Sequence, residues 1–170
     1  MTLTELTQAV HDLKMSKYPH CSKLPEYFPT IPFVANSANS LTRCIEAYIR
    51  VTGGYADRIN NTGIYDAKTG KWRKSGTRKG IADIMATKKI QYDDRIFAVP
   101  VAIEVKWGKD RLSEDQLKIK AEYEAAGGVY LVARTWEQFI QDYNNIKWTG
   151  IKIYKNWKNI SIILLYQPSQ

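Results

Sequence analysis

The fold is decided by residues 81–107, which read IADIMATKKIQYDDRIFAVPVAIEVKW. Two parts of this stretch, 81–87 and 97–107, are rich in the β-branched and aliphatic residues that favour strands, and a short polar segment separates them. We predict an antiparallel hairpin that folds about the bond between Asp93 and Asp94.

The predicted register brings charged residues together on one face of this hairpin. Asp83 lies directly opposite Glu104, with the two side chains about 5 Å apart. Lys106 projects from the same face because side chains alternate along a strand. Ile84 and Ile103 then point to the other face, as a buried core requires. We therefore expect one apolar face and one face that carries two carboxylates and an ammonium group.

This arrangement of charges suits a divalent cation. Two opposed carboxylates repel each other among apolar neighbours, and a hard cation between them removes the repulsion. Mg²⁺ prefers oxygen ligands and keeps several waters, one of which becomes acidic enough to be a nucleophile. Lys106 would orient that water or stabilise charge in the transition state. Phosphodiester hydrolysis uses all these parts, whereas the alternative is an ordinary salt bridge at a strand end.

The residues before the hairpin predict two helices joined by an irregular segment. A capping box and apolar residues at helical spacing predict a helix over residues 3–14. Four prolines between positions 19 and 32 exclude a regular helix there. We therefore predict an N-terminal helix and proline-rich arm over residues 1–35, followed by a helix over 41–51 that a glycine pair ends.

The residues after the hairpin predict an alternation of helix and strand. A capping box that begins at Ser113 starts a helix, residues 129–133 form a short strand, and Thr135 caps another helix. Two more strands are expected in a C-terminal strand extension over 147–170. Residues 36–146 thus predict one α/β (α+β) domain with a mixed sheet flanked by helices.

The amino-acid composition indicates what kind of partner, location and metal site this protein has. Lys and Arg number 25 against 17 Asp and Glu, and the net charge of +8 favours a polyanionic partner. The sequence has no apolar run of about 18 residues, and its polar N-terminus does not resemble a signal peptide. We expect a cytoplasmic protein, soluble and of bacterial or phage type. The two cysteines have no CxxC spacing, and their pattern with the two histidines matches no familiar zinc finger.

Several ordered motifs resemble the VRR-NUC branch of the PD-(D/E)XK nucleases, over about residues 40–140. They are Gly80-Ile-Ala-Asp83-Ile, Ile103-Glu104-Val-Lys106, Leu112-Ser113-Glu-Asp-Gln116, Ala126-Gly-Gly-Val and Val132-Ala-Arg134. One departure is Ala82, where the family commonly has a proline that shapes the strand entry and ligates nothing. The resemblance implies a restriction-endonuclease-like fold, Mg²⁺- or Mn²⁺-dependent cleavage of DNA, and a homodimer similar to Holliday-junction resolvases.

The resemblance also implies roles for individual residues. Asp83 and Glu104 correspond to metal ligands, the backbone carbonyl of Val105 to another ligand, and Lys106 to the catalytic lysine. Gln116 corresponds to the family's helix glutamine beside the site, although the capping box with Ser113 already explains it.

Glu46 matches an acidic residue that many relatives place on the first helix of the domain to contact the metal, directly or through water. The alternative is a solvated salt-bridge face, because Arg43 and Arg50 flank Glu46 at helical pair spacing.

DNA contacts are expected from a basic loop and from its neighbourhood. Phosphate neutralisation would explain the charges, and Trp72 could stack on an exposed base; a solvated loop is the alternative for any single residue. The candidates in the loop are Lys68, Lys71, Trp72, Arg73, Lys74, Arg78 and Lys79. Weaker candidates outside it are Arg58, Asn60, Lys109 and Arg111.

From these patterns we predict a metal-dependent DNA endonuclease that selects branched or Holliday-junction DNA in replication or repair, and that acts as a homodimer. One alternative is a restriction-like or RecB-like nuclease that acts on DNA ends or single strands. The other is a DNA-binding protein of the same fold without activity.

Overall fold

A computed structural model describes residues 1–21, 29–60, 63–73, 76–147, 151–153 and 162–164 of the 170-residue chain. The helices are α1 (Leu3–Lys17), α2 (Ala38–Val51), α3 (Glu114–Ala125) and α4 (Trp136–Asn145), with a short 3₁₀ turn at Pro19–Cys21. The strands are β1 (Tyr55–Arg58), β2 (Ile64–Asp66), β3 (Lys71–Arg73), β4 (Ile84–Tyr92), β5 (Arg95–Val105), β6 (Val129–Ala133), β7 (Ile151–Ile153) and β8 (Ile162–Leu164).

Strands β4 and β5 form the predicted hairpin in the predicted register from Ile84 onwards, whereas Asp83, which we predicted to lie on a strand opposite Glu104, precedes β4. Ile84 pairs with Ile103, and the antiparallel pairing runs without interruption to Tyr92 opposite Arg95. The turn consists of Asp93 and Asp94, and Asp93 has a φ of 50°, a left-handed conformation that Asp tolerates better than most residues. The strands extend closer to the turn than the polar segment indicated, because backbone pairing continues through it.

The central sheet has the strand order β1-β4-β5-β6. β1 and β5 pair with β4 in antiparallel fashion, whereas β6 runs parallel to β5. A parallel neighbour needs a crossover connection, which α3 supplies. The expectation of a mixed sheet flanked by helices is therefore confirmed at this level.

The larger core lies between one face of the sheet and helices α1, α2 and α4. Helix α2 buries Leu41 and Ile45, which pack with Ile84 and Ile103 of the hairpin. Helix α1 contributes the fully buried Leu6 to the same core, although we had assigned this helix to an N-terminal arm. The indole of Trp136 in α4 also donates a hydrogen bond to the backbone of Met1. The start of the chain thus packs with the residues that follow it.

The other face of the sheet is covered by α3. A second apolar cluster joins Ile119 of this helix with Ala82, Ala102 and Tyr130. This face, and not the larger core, carries Glu104 and Lys106, because they alternate with the core residue Val105 along β5 and its end.

Two small antiparallel sheets lie outside the central one. Strand β3 lies within the predicted basic loop over residues 68–79 and pairs with β2, which precedes that loop, so the first part of the loop belongs to a hairpin. Strands β7 and β8 also pair with each other, in agreement with the two strands expected near the C-terminus. Among the described residues, no helix combines the length and the apolar character that crossing a bilayer requires.

Candidate active site

Asp83 lies at the entrance to β4, held by backbone hydrogen bonds on both sides. Its carbonyl accepts a hydrogen bond of 2.8 Å from the N–H of Ile59, directly after β1. Its carboxylate oxygen Oδ2 accepts a 2.9 Å bond from the N–H of Val105 in β5. The carboxylate therefore lies against the end of β5, where Glu104 and Lys106 flank Val105.

The loop that leads into Asp83 is pressed against the start of α3. Gly80 has a φ of 82°, and a Cβ added to it would lie 2.5 Å from the carbonyl carbon of Asp115. Lys79 forms an ion pair of 2.6 Å with Asp115, and Arg78 forms one of 2.7 Å with Glu122. Since a side chain at position 80 would collide with backbone, only glycine permits this approach.

Glu104 is a buried carboxylate with one paired and one unpaired oxygen. The residue is 3% exposed. Its Oε1 accepts a 2.5 Å hydrogen bond from Nε2 of Gln116 and lies 3.1 Å from the ammonium of Lys106. Its Oε2 is buried and has no hydrogen-bond partner within the part of the chain that the structure describes. Burial, and then repulsion from Asp83, raise the pKa of Glu104 to about 7 against the opposing effects of Lys106 and Gln116.

Lys106 bridges two acids. It is 6% exposed, and its Nζ lies 3.1 Å from Glu104 and 3.3 Å from Asp110. Burial disfavours the charged form, but the contacts with Glu104 and Asp110 outweigh this effect and raise the pKa of Lys106. The side chain is therefore a fixed positive charge beside the buried carboxylate. Sequence reasoning did not include Asp110, although an acid four residues after a lysine was a visible signal.

The side chain of Gln116 closes the capping box and also contacts Glu104. Its Oε1 accepts a 2.9 Å bond from the N–H of Ser113 and so closes the capping box of α3, while its Nε2 donates to Glu104. An amide has an acceptor and a donor, so the two roles do not compete. Ser113 completes the box by accepting from the N–H of Gln116 through its hydroxyl.

Tyr130 is a residue of the site that sequence reasoning missed. It is 5% exposed on β6, and its hydroxyl is buried without a hydrogen-bond partner among the described residues. Burial, followed by the charges of Glu104 and Asp83, raises its pKa. Its signal in the sequence was weak, because one tyrosine in an apolar strand is ordinary, although a buried tyrosine hydroxyl usually finds a partner.

Glu46 does not join these residues as the resemblance implied. Its carboxylate pairs with Arg50 at 3.2 Å, as the alternative interpretation expected. Within the described ranges, no three Cys, His, Asp or Glu side chains are grouped closely enough to hold a metal ion. The structure thus brings Asp83 and Glu104 together, whereas a contact of Glu46 with the metal through water and the role of the Val105 carbonyl stay predictions.

Some of the expected DNA-binding residues already interact with other residues of the protein. Arg78 and Lys79 are ion-paired with α3, and Arg58 donates a 2.7 Å hydrogen bond to Asn39. Asn60 follows β1 and has interactions of its own.

The other candidates whose side chains the structure describes are exposed to solvent. Lys109 and Arg111 are exposed after β5, and Lys71 and Trp72 are exposed on β3. The backbone of Arg73 lies in β3, but its side chain and all of Lys74 lie outside the described residues.

Two carboxylates of this site have the chemistry of ligands for a divalent cation. Glu104 offers a buried oxygen that lacks a partner, and Asp83 is close enough for its charge to raise the pKa of Glu104. An unsatisfied buried carboxylate oxygen is unfavourable, and a hard cation shared with a second carboxylate satisfies it. Asp83 and Glu104 are therefore the residues that would hold Mg²⁺ or Mn²⁺.

The comparisons with known proteins return no relatives: no family model, curated protein or solved structure matches the chain.

Proposed function

We propose that this chain is a Mg²⁺- or Mn²⁺-dependent deoxyribonuclease of the PD-(D/E)XK type, with its active site at Asp83, Glu104 and Lys106. One observation carries the proposal: Oε2 of the buried Glu104 lacks a hydrogen-bond partner among the described residues, the charge of Asp83 raises the pKa of Glu104, and its Oε1 contacts Lys106. Unpaired buried carboxylates with raised pKa values are concentrated at functional sites.

The pKa of Glu104 supports a cation as the missing partner. At about 7, this carboxyl is partly protonated at neutral pH. A cation held between Glu104 and Asp83 favours the ionised form, so binding releases the proton and satisfies Oε2 at the same time. A bound divalent cation would supply Lewis acidity towards a phosphate oxygen and lower the pKa of a coordinated water.

The remaining residues of the site have distinct roles in this proposal. Lys106 places a permanent positive charge where negative charge develops on a phosphodiester during hydrolysis. Gln116 holds Glu104 through a short hydrogen bond from the rigid first turn of α3. Asp110 contacts Lys106 from the following loop and orients its ammonium group. Gln116 and Asp110 are therefore positioning residues.

DNA is the proposed substrate because the charge of the chain favours a polyanion. The net charge is +8, and exposed cations follow the site at Lys109 and Arg111. Selectivity for branched DNA, action in replication or repair and a homodimeric state belong to the proposal through the resemblance to VRR-NUC proteins.

A non-catalytic DNA-binding protein is the second candidate. The observation in its favour is that Lys106 is already neutralised by Glu104 and Asp110, as in a purely structural salt-bridge network. Both candidates bind DNA, and they differ only in cleavage.

Cleavage of labelled DNA separates the candidates. A four-way junction, a flap, a single strand and a blunt duplex are incubated with Mg²⁺ or Mn²⁺, or with EDTA. We expect metal-dependent cleavage that Asp83→Asn, Glu104→Gln and Lys106→Met each reduce about 100-fold or more, with DNA binding retained. Asp12→Asn, which changes an exposed carboxylate on α1, is the matched control.

The pattern among substrates also decides between nuclease types. A preference for the junction supports the structure-selective enzyme, whereas cleavage restricted to ends or single strands indicates the RecB-like alternative. Binding without cleavage by the wild-type protein in either metal would establish the non-catalytic protein.

A further inference from the structure

The hairpin formed by β2 and β3 exposes two aromatic rings. Tyr65 and Trp72 are directly opposite each other across its strands. Their ring centroids are 5.5 Å apart with an interplanar angle of 57°, and the residues are 54% and 67% exposed. Because opposed residues in an antiparallel pair share a face, the two rings form one continuous apolar surface.

This surface is not explained by folding. Aromatic side chains contribute most to stability when they are buried, and here the two rings contact each other but remain largely in water. The hairpin forms a sheet of its own, separate from the central sheet. Exposed apolar patches on soluble domains commonly mark sites of interaction.

The charges beside the rings indicate the kind of partner. Lys68 and Lys71 are exposed in the same hairpin, and within the described residues neither has an ion-pair partner. Arg78 and Lys79, by contrast, are neutralised by acids of α3. Unpaired cations next to exposed rings suit a ligand that offers both phosphates and flat π faces, which is a nucleic acid with unpaired bases.

The place of the hairpin in the chain relates it to the proposed active site. Residues 76–80 follow β3 and are fixed on α3 by the ion pairs and by the close approach of Gly80 to Asp115. Asp83 follows within the same segment. A nucleic acid bound on this hairpin therefore contacts the segment of the chain that leads into Asp83.

We propose that Tyr65 and Trp72 form a stacking platform for unpaired DNA bases, with Lys68 and Lys71 contacting the adjoining phosphates. Bases within a duplex already stack on each other, so the platform favours single-stranded segments such as those at a flap or an open junction. The inference rests on the proposed function only in taking DNA as the polymer.

Binding without cleavage tests the platform. Fluorescently labelled oligothymidylate of about 20 nucleotides and a blunt duplex of equal length are titrated with the full chain in EDTA, and anisotropy is recorded. We expect Trp72→Ala and Tyr65→Ala each to weaken oligothymidylate binding about 10-fold and to change duplex binding less than about 2-fold. Trp72→Phe should restore most of the affinity, because a ring is retained.

The matched control is Tyr92→Ala, which removes a ring that is also 54% exposed but lies on the β4–β5 hairpin. It should leave both affinities unchanged. Lys71→Gln should weaken the binding of both DNAs, since a phosphate contact is insensitive to base pairing. It should also reduce the salt dependence of binding, because one phosphate contact is lost.

Unchanged oligothymidylate binding by Trp72→Ala and Tyr65→Ala overturns the platform. If Trp72→Ala and Tyr65→Ala weaken the binding of duplex and of oligothymidylate equally, the platform does not select unpaired bases. The result is independent of the proposed nuclease activity, because EDTA prevents metal-dependent cleavage. If the protein cleaves no DNA but the binding results are as expected, the stacking platform is still supported.

Discussion

Nε2 of Gln116 donates a hydrogen bond of 2.5 Å to Oε1 of Glu104, while Oε1 of the same amide closes the capping box with Ser113. One side chain thus joins the first turn of α3 to the buried acid at the end of β5. The stability of α3 and the position of Glu104, the proposed metal ligand, therefore both depend on Gln116.

Changes at Gln116 and Ser113 should separate these two effects. Gln116→Ala and Ser113→Ala each break the capping box, so each should lower the free energy of unfolding by about 1–2 kcal/mol. Only Gln116→Ala also releases Glu104, and it should reduce cleavage about 10- to 100-fold beyond the effect of Ser113→Ala. Urea denaturation and junction cleavage measure the two quantities. Equal loss of cleavage in both variants would limit Gln116 to the cap.

The raised pKa of Glu104 predicts a pH dependence of stability in the metal-free protein. The carboxyl titrates at about 7 in the folded chain against an ordinary value of 4.5, so the folded state holds the proton more tightly. Below pH 4.5 both states are protonated and the group has no effect. As pH rises from 4.5 to 7, the unfolded state ionises first and stability falls by about 3 kcal/mol in total.

Glu104→Gln removes this titration and is the reference. Urea denaturation in EDTA at several pH values should show the wild type losing stability relative to Glu104→Gln between pH 4.5 and 7, with no further relative change above. A constant difference across that window would show that Glu104 has an ordinary pKa.

Divalent cations should stabilise the wild-type protein through Asp83 and Glu104. At a concentration about 100-fold above its Kd, a ligand that binds only the folded state adds about 3 kcal/mol, or roughly 5–10 °C in Tm for a chain of this size. Mn²⁺ should therefore raise the Tm, and EDTA should reverse the rise. Asp83→Asn should abolish the shift while Asp12→Asn retains it. A shift of the same size in Asp83→Asn would remove this residue from the ligand set.

Gly80 should be essential to the approach of the loop towards α3. Gly80→Ala places a methyl group against the backbone of Asp115 in addition to straining a φ of 82°, so unfolding free energy should fall by about 2–4 kcal/mol. Gly70→Ala is the control, because Gly70 has a φ of 64° but open space around its Cβ position. It should lose only about 1 kcal/mol. Similar losses in both variants would attribute the effect to backbone strain alone.

Removal of the Tyr130 hydroxyl should not destabilise the protein. The group is buried without a partner, so Tyr130→Phe relieves its desolvation and should leave the free energy of unfolding unchanged or raise it by about 1 kcal/mol. Thermal denaturation in EDTA measures the change. A loss of about 1–3 kcal/mol would reveal a hydrogen bond of this hydroxyl in the folded protein.

Much of the fold could be predicted because local signals and the fold agree. The capping boxes at Thr2 and Ser113 begin helices where they were expected, and the apolar residues of α2 and α4 face the core. The β4–β5 register also followed from the chain, since a two-residue turn and one apolar face leave a single pairing that buries Ile84 and Ile103.

Pairings between distant segments were harder to predict. Glu122 lies one helical turn from Lys118, yet it pairs with Arg78 from the loop before β4. The pairing of Glu46 with Arg50, which is local, was foreseen as an alternative. Long side chains have several partners within reach, and the choice among them depends on which segments the fold brings together.

By itself the sequence determined the helices, the central hairpin and the alternation that puts Glu104 and Lys106 opposite the larger core, because these depend on local hydrogen bonding and on the period of side chains. The packing of distant segments leaves Oε2 of Glu104 without a partner among the described residues, brings Tyr130 within reach of the charge of Glu104, and neutralises Arg78 and Lys79 with acids of α3. Burial and long-range pairing are properties of packed elements, and these properties set the pKa of Glu104 and the charges that remain for a ligand.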